Sequence, residues 1–189
     1  TDTGGDRKFA RHVYANPFQP EICPILGLGV YLLLLDVPGD GPAKLFPGGS
    51  QYMHFSEAFK KYLERMLAQF VQFIKNVAEW GTHSFRKGAA TYACGGSTAA
   101  PHISAVAIRC GWKQAGVQDT YIVYSAAGDQ YVGRVVVGLP VDSAEFAILP
   151  PFFEGLSEEE LSAAVRLCFP SVMKRVRSQV LVFALASLV

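Results

Sequence analysis

Four side chains in the middle of the chain are of types that can act together on a phosphodiester. His83 and Arg86 stand three residues apart, and residues at this spacing share one face of a helix. A guanidinium matches two phosphate oxygens at once, while imidazole and indole N–H groups donate further hydrogen bonds. Trp112 and, nine residues later, Tyr121 complete the set. Because a tyrosine hydroxyl can form covalent intermediates, the set indicates nucleophilic attack on a phosphate.

Each of these residues also has an ordinary structural interpretation. His83 could cap a helix, and Arg86 could pair with a carboxylate on the surface. Trp112 could fill the core, and Tyr121 could be a half-buried hydroxyl. The chemical interpretation therefore depends on the order and spacing of all four residues taken together.

In order and spacing, the four residues resemble the catalytic boxes of the tyrosine recombinase (phage-integrase-like) family. The matches are His83 and Arg86 to the family's His-x-x-Arg box, Ala90 and Thr91 to the small-residue helix that commonly follows it, Gly111 and Trp112 to its Gly-Trp pair, and Tyr121 to the nucleophile nine residues further on. Three segments are most similar to eukaryotic Crypton-like recombinases of mobile elements: H-V-Y-A-N-P, H-S-F-R-K-G-A-A-T-Y and A-G-D-Q-Y-V-G-R-V-V-V-G-L-P. Tyr124 and Tyr131 are rival nucleophiles, but only Tyr121 has the family's spacing from the tryptophan.

The resemblance implies a DNA-breaking and rejoining enzyme that acts in the nucleus on double-stranded DNA, as a homo-oligomer when full-length. Tyr121 would attack the phosphate and leave a 3′-phosphotyrosyl link and a free 5′-hydroxyl. Arg86, His83 and Trp112 would stabilise the phosphoryl oxygens, and a lysine would protonate the leaving oxygen. Because the link keeps the phosphodiester energy, the resemblance implies neither a metal nor a nucleotide cofactor.

The chain departs from the family pattern at its N-terminal side. The family's first catalytic arginine lies upstream of a β-hairpin and has no counterpart here, and Lys8 is the one candidate for the lysine of that hairpin. We therefore expect residues 1–140 to be the C-terminal part of a recombinase catalytic domain, inactive alone, and residues 141–189 to be a helical extension. Two alternatives are a domesticated, non-catalytic module that binds DNA or protein, and a plain helical interaction domain.

Composition limits the class of protein. Of 189 residues, 50% are hydrophobic and 17% charged, which indicates a packed domain and excludes a disordered chain. The net charge of +1 is low for a DNA-binding protein, so we expect local positive charge from Arg86, Lys87, Arg109 and Lys113. The four scattered cysteines predict reduced thiols rather than a zinc site. No apolar run is long enough to cross a membrane.

The predicted fold class is mainly α, with a small β-hairpin remnant at the N-terminus. Gly4 and Gly5 are typical of a hairpin tip, and residues 9–15 would be its returning strand. Gly27 and Gly29 should allow the first helix to pack closely on a neighbour, and Ser157 with Glu160 predicts a capping box. Periodicity, caps and breakers predict helices over residues 25–36, 55–80, 83–94, 101–110, 116–125, 130–137 and 158–167, and a last one that ends at 189.

Overall fold

The computed structural model describes residues 9–36, 44–67, 69, 76–112 and 123–189. Within these ranges the chain forms seven α-helices and no β-strand, so the mainly α class is confirmed. The helices are α1 (Pro24–Leu34), α2 (Gln51–Met66), α3 (Thr82–Gly95), α4 (Ile103–Cys110), α5 (Ala126–Val136), α6 (Glu158–Cys168) and α7 (Ser178–Ala186). Short 3-10 turns lie at Pro20–Ile22, Val77–Glu79 and Ala144–Ala147.

The described residues divide into two compact units. Those of 1–42 and 93–189 form the larger unit, and those of 43–92 form the smaller one. A buried hydrophobic cluster of the larger unit joins α1, α6, α7 and the turn that follows α6. Its buried members are Leu32, Val165, Phe169, Val172, Leu181, Ala184 and Leu185.

Helix α1 packs on α7 through one glycine. A Cβ atom added at Gly29 would lie 2.9 Å from the carbonyl oxygen of Ala184, whereas one added at Gly27 would meet nothing within 4 Å. The expected close approach is therefore confirmed at Gly29 and not at Gly27. The almost wholly apolar residues 25–36 predict a helix buried on all sides, but only one face of α1 is buried and Leu34 is 77% exposed.

Several helix ends follow local signals in the sequence. Gly111 adopts φ 68° at the end of α4, a left-handed conformation that glycine adopts without a Cβ penalty. Ser157 and Glu160 form the predicted capping box at the start of α6. Helix α5 begins at Ala126, four residues before the predicted start, because the Ser125 side chain accepts a hydrogen bond from the Gly128 N–H.

Three predicted elements differ from the structure. Residues 9–16, here called the N-terminal strap, contain no strand, because side chains of the larger unit rather than a second strand hold them; the expected hairpin tip lies outside the described residues. Residues 76–80 are not α-helical, since the Asn76 side chain caps a 3-10 turn there. Residues 123–125 lie outside any helix, and 116–122 are not among those described.

None of the described helices is both long and apolar enough to cross a bilayer. The four cysteines all lie in the described ranges, and none of them forms a disulfide.

Candidate functional site

The His-x-x-Arg box occupies the first turns of α3 in the smaller unit. His83 is exposed and Arg86 is half-buried. The turn is held at its start by Ser84, whose backbone N–H donates to the Gly81 carbonyl at 2.9 Å and whose hydroxyl accepts from the Gly81 N–H at 3.1 Å. Thr82 is the first residue of the helix rather than its N-cap.

Phe85, inside the box, attaches α3 to α2. Its ring centroid lies 4.7 Å from that of Phe59 and 5.7 Å from that of Phe55, both in tilted arrangements. Tilted aromatic pairs at these distances are favourable beyond the area that they bury. The ring cluster therefore sets the rotation of α3 about its own axis.

This rotation determines where His83 and Arg86 point. At 3.6 residues per turn the two residues lie about 60° apart around the helix, and Phe85 lies about 130° from the midpoint between them. With Phe85 on α2, the face that carries His83 and Arg86 turns away from α2. The exposure of His83 agrees with this direction.

The Gly-Trp pair lies at the end of α4 in the larger unit. The Gly111 N–H donates to the Ile108 carbonyl at 3.0 Å, and the Trp112 N–H donates to the Ala107 carbonyl at 2.9 Å. These bonds satisfy carbonyls that the end of a helix leaves without partners. The Trp112 side chain is 43% exposed, so it does not fill the core.

The predicted site residues are divided between the two units, and some of them lie outside the described residues. His83 and Arg86 belong to the smaller unit and Trp112 to the larger one. Tyr121, like Lys8 and Lys113, is not among the described residues.

The two rival tyrosines have hydroxyls bound to the protein backbone. The Tyr124 hydroxyl donates to the Ala10 carbonyl at 2.9 Å, and its ring stacks on that of Phe9 with centroids 4.5 Å apart. The Tyr131 hydroxyl donates to the Ala99 carbonyl at 2.5 Å. Each phenol therefore makes a structural contact between segments that are distant in the chain.

The sequence analysis did not identify Asp129, which lies at the centre of a polar network in the larger unit. Its side chain is 2% exposed. One carboxylate oxygen, Oδ2, accepts from the His12 backbone N–H at 2.7 Å and from the His12 ring Nδ1 at 2.9 Å. The other oxygen, Oδ1, accepts from Arg109 Nη1 at 2.7 Å. We call these three residues the Asp129 clamp.

Arg109 is committed to this clamp. Its Nη2 donates to the His12 carbonyl at 2.7 Å, and its Nη1 reaches the Asp129 carbonyl at 3.3 Å as well as the carboxylate. The guanidinium is therefore committed to contacts within the larger unit, and its contribution to a DNA-facing surface stays a prediction. The number of charged residues in the sequence could not separate this half-buried, paired arginine from arginines on the surface.

The Asp129 clamp also determines the protonation of its carboxyl. Burial by itself raises the pKa of Asp129, but hydrogen bonds from the His12 backbone and ring and from Arg109 outweigh it. The pKa therefore lies below its ordinary value. The ionised carboxylate is the form that can accept all of these donors.

A second arginine, Arg11 of the N-terminal strap, binds the end of α4. Arg11 Nε donates to the Arg109 carbonyl at 3.2 Å, and Arg11 Nη2 donates to the Ile108 carbonyl at 3.0 Å. A cation at a helix C-terminus is favourable because it meets the negative end of the dipole.

The strap packs directly on α5. A Cβ atom at Gly133 would lie 2.7 Å from the His12 carbonyl oxygen and 3.1 Å from the Tyr14 ring. The Arg134 guanidinium lies over that ring, 4.4 Å from its centroid. The segments H-V-Y-A-N-P and A-G-D-Q-Y-V-G-R-V-V-V-G-L-P are thus two sides of one packed interface.

A cavity of 140 Å³ adjoins the Asp129 clamp. It is lined by residues of α4 and of the start of α5, among them Ser104, Arg109, Tyr124, Ser125 and Asp129. This volume is smaller than that of ordinary ligand pockets. The cavity is therefore a gap beside the clamp rather than a cofactor site.

Comparison with protein-family models, with curated proteins and with solved structures finds no match to this chain.

Proposed function

We propose that this chain is the C-terminal part of a DNA strand-transfer enzyme of the tyrosine recombinase type, which uses His83, Arg86, Trp112 and Tyr121. The observation that carries the proposal is the orientation of the His-x-x-Arg face. Phe85 contacts α2, and the side of α3 about 130° away from it carries the exposed His83 and the half-buried Arg86. A surface of this kind suits a phosphate that arrives from solvent.

The choice of nucleophile has separate support. The hydroxyls of Tyr124 and Tyr131 each donate to a backbone carbonyl. A phenol in such a contact would have to give up its hydrogen bond and its packing before it could attack DNA. Tyr121 therefore remains the preferred nucleophile, as its spacing from Trp112 implied.

In the proposed reaction the Tyr121 oxygen forms a bond to the scissile phosphorus as the bond from phosphorus to the 5′ oxygen breaks. The Tyr121 hydroxyl loses its proton and the leaving 5′ oxygen gains one, so the step is balanced in protons, and the enzyme keeps a 3′-phosphotyrosyl link. A 5′-hydroxyl of a partner strand then reverses the step. Arg86, His83 and Trp112 stabilise the charge on the phosphoryl oxygens, and loss of one such donor costs roughly 10²–10³ in rate.

The test uses the full-length protein and a nicked duplex substrate. The nick lets the short 5′-hydroxyl fragment diffuse away, so a covalent protein–DNA adduct accumulates and can be seen on a denaturing gel. We expect an adduct with the wild type and none with Tyr121→Phe, which lacks the attacking oxygen but keeps the ring. Tyr124→Phe and Tyr131→Phe, as matched controls, should retain it.

Two results would contradict the proposal in different ways. An adduct that persists in Tyr121→Phe and disappears in Tyr124→Phe would show that the nucleophile is Tyr124. If the wild type forms no adduct on its own element's termini but still binds them, the chain is a non-catalytic DNA-binding module.

A further inference from the structure

The Asp129 clamp joins the ends of two helices. Arg109 lies in the last turn of α4 and Asp129 in the first turn of α5. Between them the chain runs through Trp112, Tyr121 and Tyr124. The ion pair therefore fixes the distance between the two helix ends that border the segment of the proposed nucleophile.

The N-terminal strap reinforces both ends of that interval. His12 binds both members of the ion pair through its backbone and its ring. Arg11 binds the last carbonyls of α4, and the Ala10 carbonyl accepts from Tyr124, three residues after Tyr121. The strap thus holds the chain before and after the nucleophile segment.

Stability alone is a weak reason for this arrangement. Replacing a buried ion pair by well-packed apolar side chains is often neutral or stabilising. An apolar pair lacks direction. Here five hydrogen bonds at 2.7–3.3 Å join three side chains, two backbone carbonyls and one backbone N–H, and together they restrict the relative placement of the segments. The clamp is therefore suited to determining a geometry.

We infer that Arg109 and Asp129 are positioning residues for strand transfer, which hold the Trp112 end of α4 and the Tyr124 end of the nucleophile segment at a fixed separation. This inference rests on the proposed function. Each acts through an end of the segment that carries Tyr121, Arg109 next to Trp112 and Asp129 through its joint contacts with the strap that binds Tyr124. A misplacement of 1 Å at a reacting atom can cost about 10² in rate even when its cause is distant.

The test separates the rate of the reaction from the fraction of folded enzyme. Full-length Arg109→Lys keeps the charge but loses the fork that binds Asp129 and His12 together; Asp129→Asn keeps the shape and loses the charge. Single-turnover adduct formation at saturating nicked duplex gives a rate constant and a final amplitude. We expect the rate constant to fall 10- to 100-fold, with the amplitude and the Kd for DNA unchanged in Arg109→Lys.

Arg134→Lys is the matched control. Arg134 also fastens the strap to α5, by its stacking on Tyr14, but is not part of the clamp. Its rate constant should equal that of the wild type. A lower amplitude with an unchanged rate constant in Arg109→Lys, or an equal loss of rate in Arg134→Lys, would overturn the inference and leave the proposed function standing. A wild type that forms no adduct would overturn both.

Discussion

Arg109 and Asp129 meet across the joint between α4 and α5, with 2.7 Å between Nη1 and Oδ1. The third partner, His12, comes from the other end of the sequence, 117 residues from Asp129. One carboxylate thus ties three separate parts of the chain together. Its loss should affect the fold and, through the nucleophile segment, the proposed chemistry.

Asp129→Asn should lower the free energy of unfolding at pH 7 by about 3–5 kcal/mol, the usual cost of breaking a buried pair. The pKa of Asp129 is lowered in the folded state, so its contribution is present above the unfolded pKa of about 3.9 and is lost as the pH falls through the lower folded value. Urea unfolding between pH 7 and pH 3 measures the difference in the free energy of unfolding between wild type and variant. This difference should become smaller as the pH falls.

The control for this experiment is Asp142→Asn, at an exposed acid in the turn after Pro140. It should change stability by no more than about 0.5 kcal/mol. If the difference in the free energy of unfolding between wild type and Asp129→Asn stays constant down to pH 3, the lowered pKa of Asp129 is contradicted.

Gly29→Ala should destabilise the larger unit by about 1–3 kcal/mol, because the added methyl would press on the Ala184 carbonyl of α7. Gly27→Ala, two residues earlier on the same helix, meets open space. It should stabilise α1 by about 0.5–1 kcal/mol because alanine is the better helix former. Thermal unfolding of the two variants and the wild type measures these changes in stability, which should have opposite signs. Equal changes in the two variants would contradict the packing of α1 on α7.

Phe85→Ala should loosen the attachment of α3 to α2, because it removes the ring that contacts Phe55 and Phe59. We expect a loss of about 1–2 kcal/mol and faster amide hydrogen exchange over the His83 turn. Tyr92→Ala, at another half-exposed aromatic residue of α3, is the control. If its exchange near His83 rises as much, Phe85 has no special part in orienting the box.

Arg86→Ala should weaken duplex DNA binding by the 189-residue chain. If Arg86 contacts a phosphate, the slope of log K against log salt should become shallower by about 1. Arg166→Ala removes an exposed arginine from the last turn of α6 and serves as the control. Fluorescence anisotropy titrations at several salt concentrations give both slopes. Identical slopes in the two variants would indicate nonspecific charge attraction.

The location of the candidate site residues was only partly predictable. The order of His83, Arg86, Trp112 and Tyr121 can be read in the sequence, and it led to the proposed chemistry. The sequence could not tell which arginines face solvent, and it placed Arg109 on the surface. The partial burial of Arg109 depends on partners that are 20 and 97 residues away in the chain. No local sequence pattern predicts these partners.

The same limit applies to Asp129 and to the N-terminal strap. A single aspartate after Ala-Gly is typical of a turn, and the predicted helix began only after it, at residue 130. In the structure it lies in the first turn of α5, where its carboxylate accepts three hydrogen bonds within its own unit. The strap was predicted as a strand, because residues 9–15 are compatible with extended backbone but do not specify what pairs with them.

The sequence by itself determined the helical class and most helix ends of the larger unit. Gly111, the Ser157–Glu160 capping box and Pro24 act within one turn of the backbone, so their effect is the same in any surroundings. Only the tertiary structure decided which face of α1 is buried, which tyrosines use their hydroxyls in packing, and that Asp129 joins three segments. Those outcomes depend on contacts between residues far apart in the chain, whose free energies no short window of sequence contains.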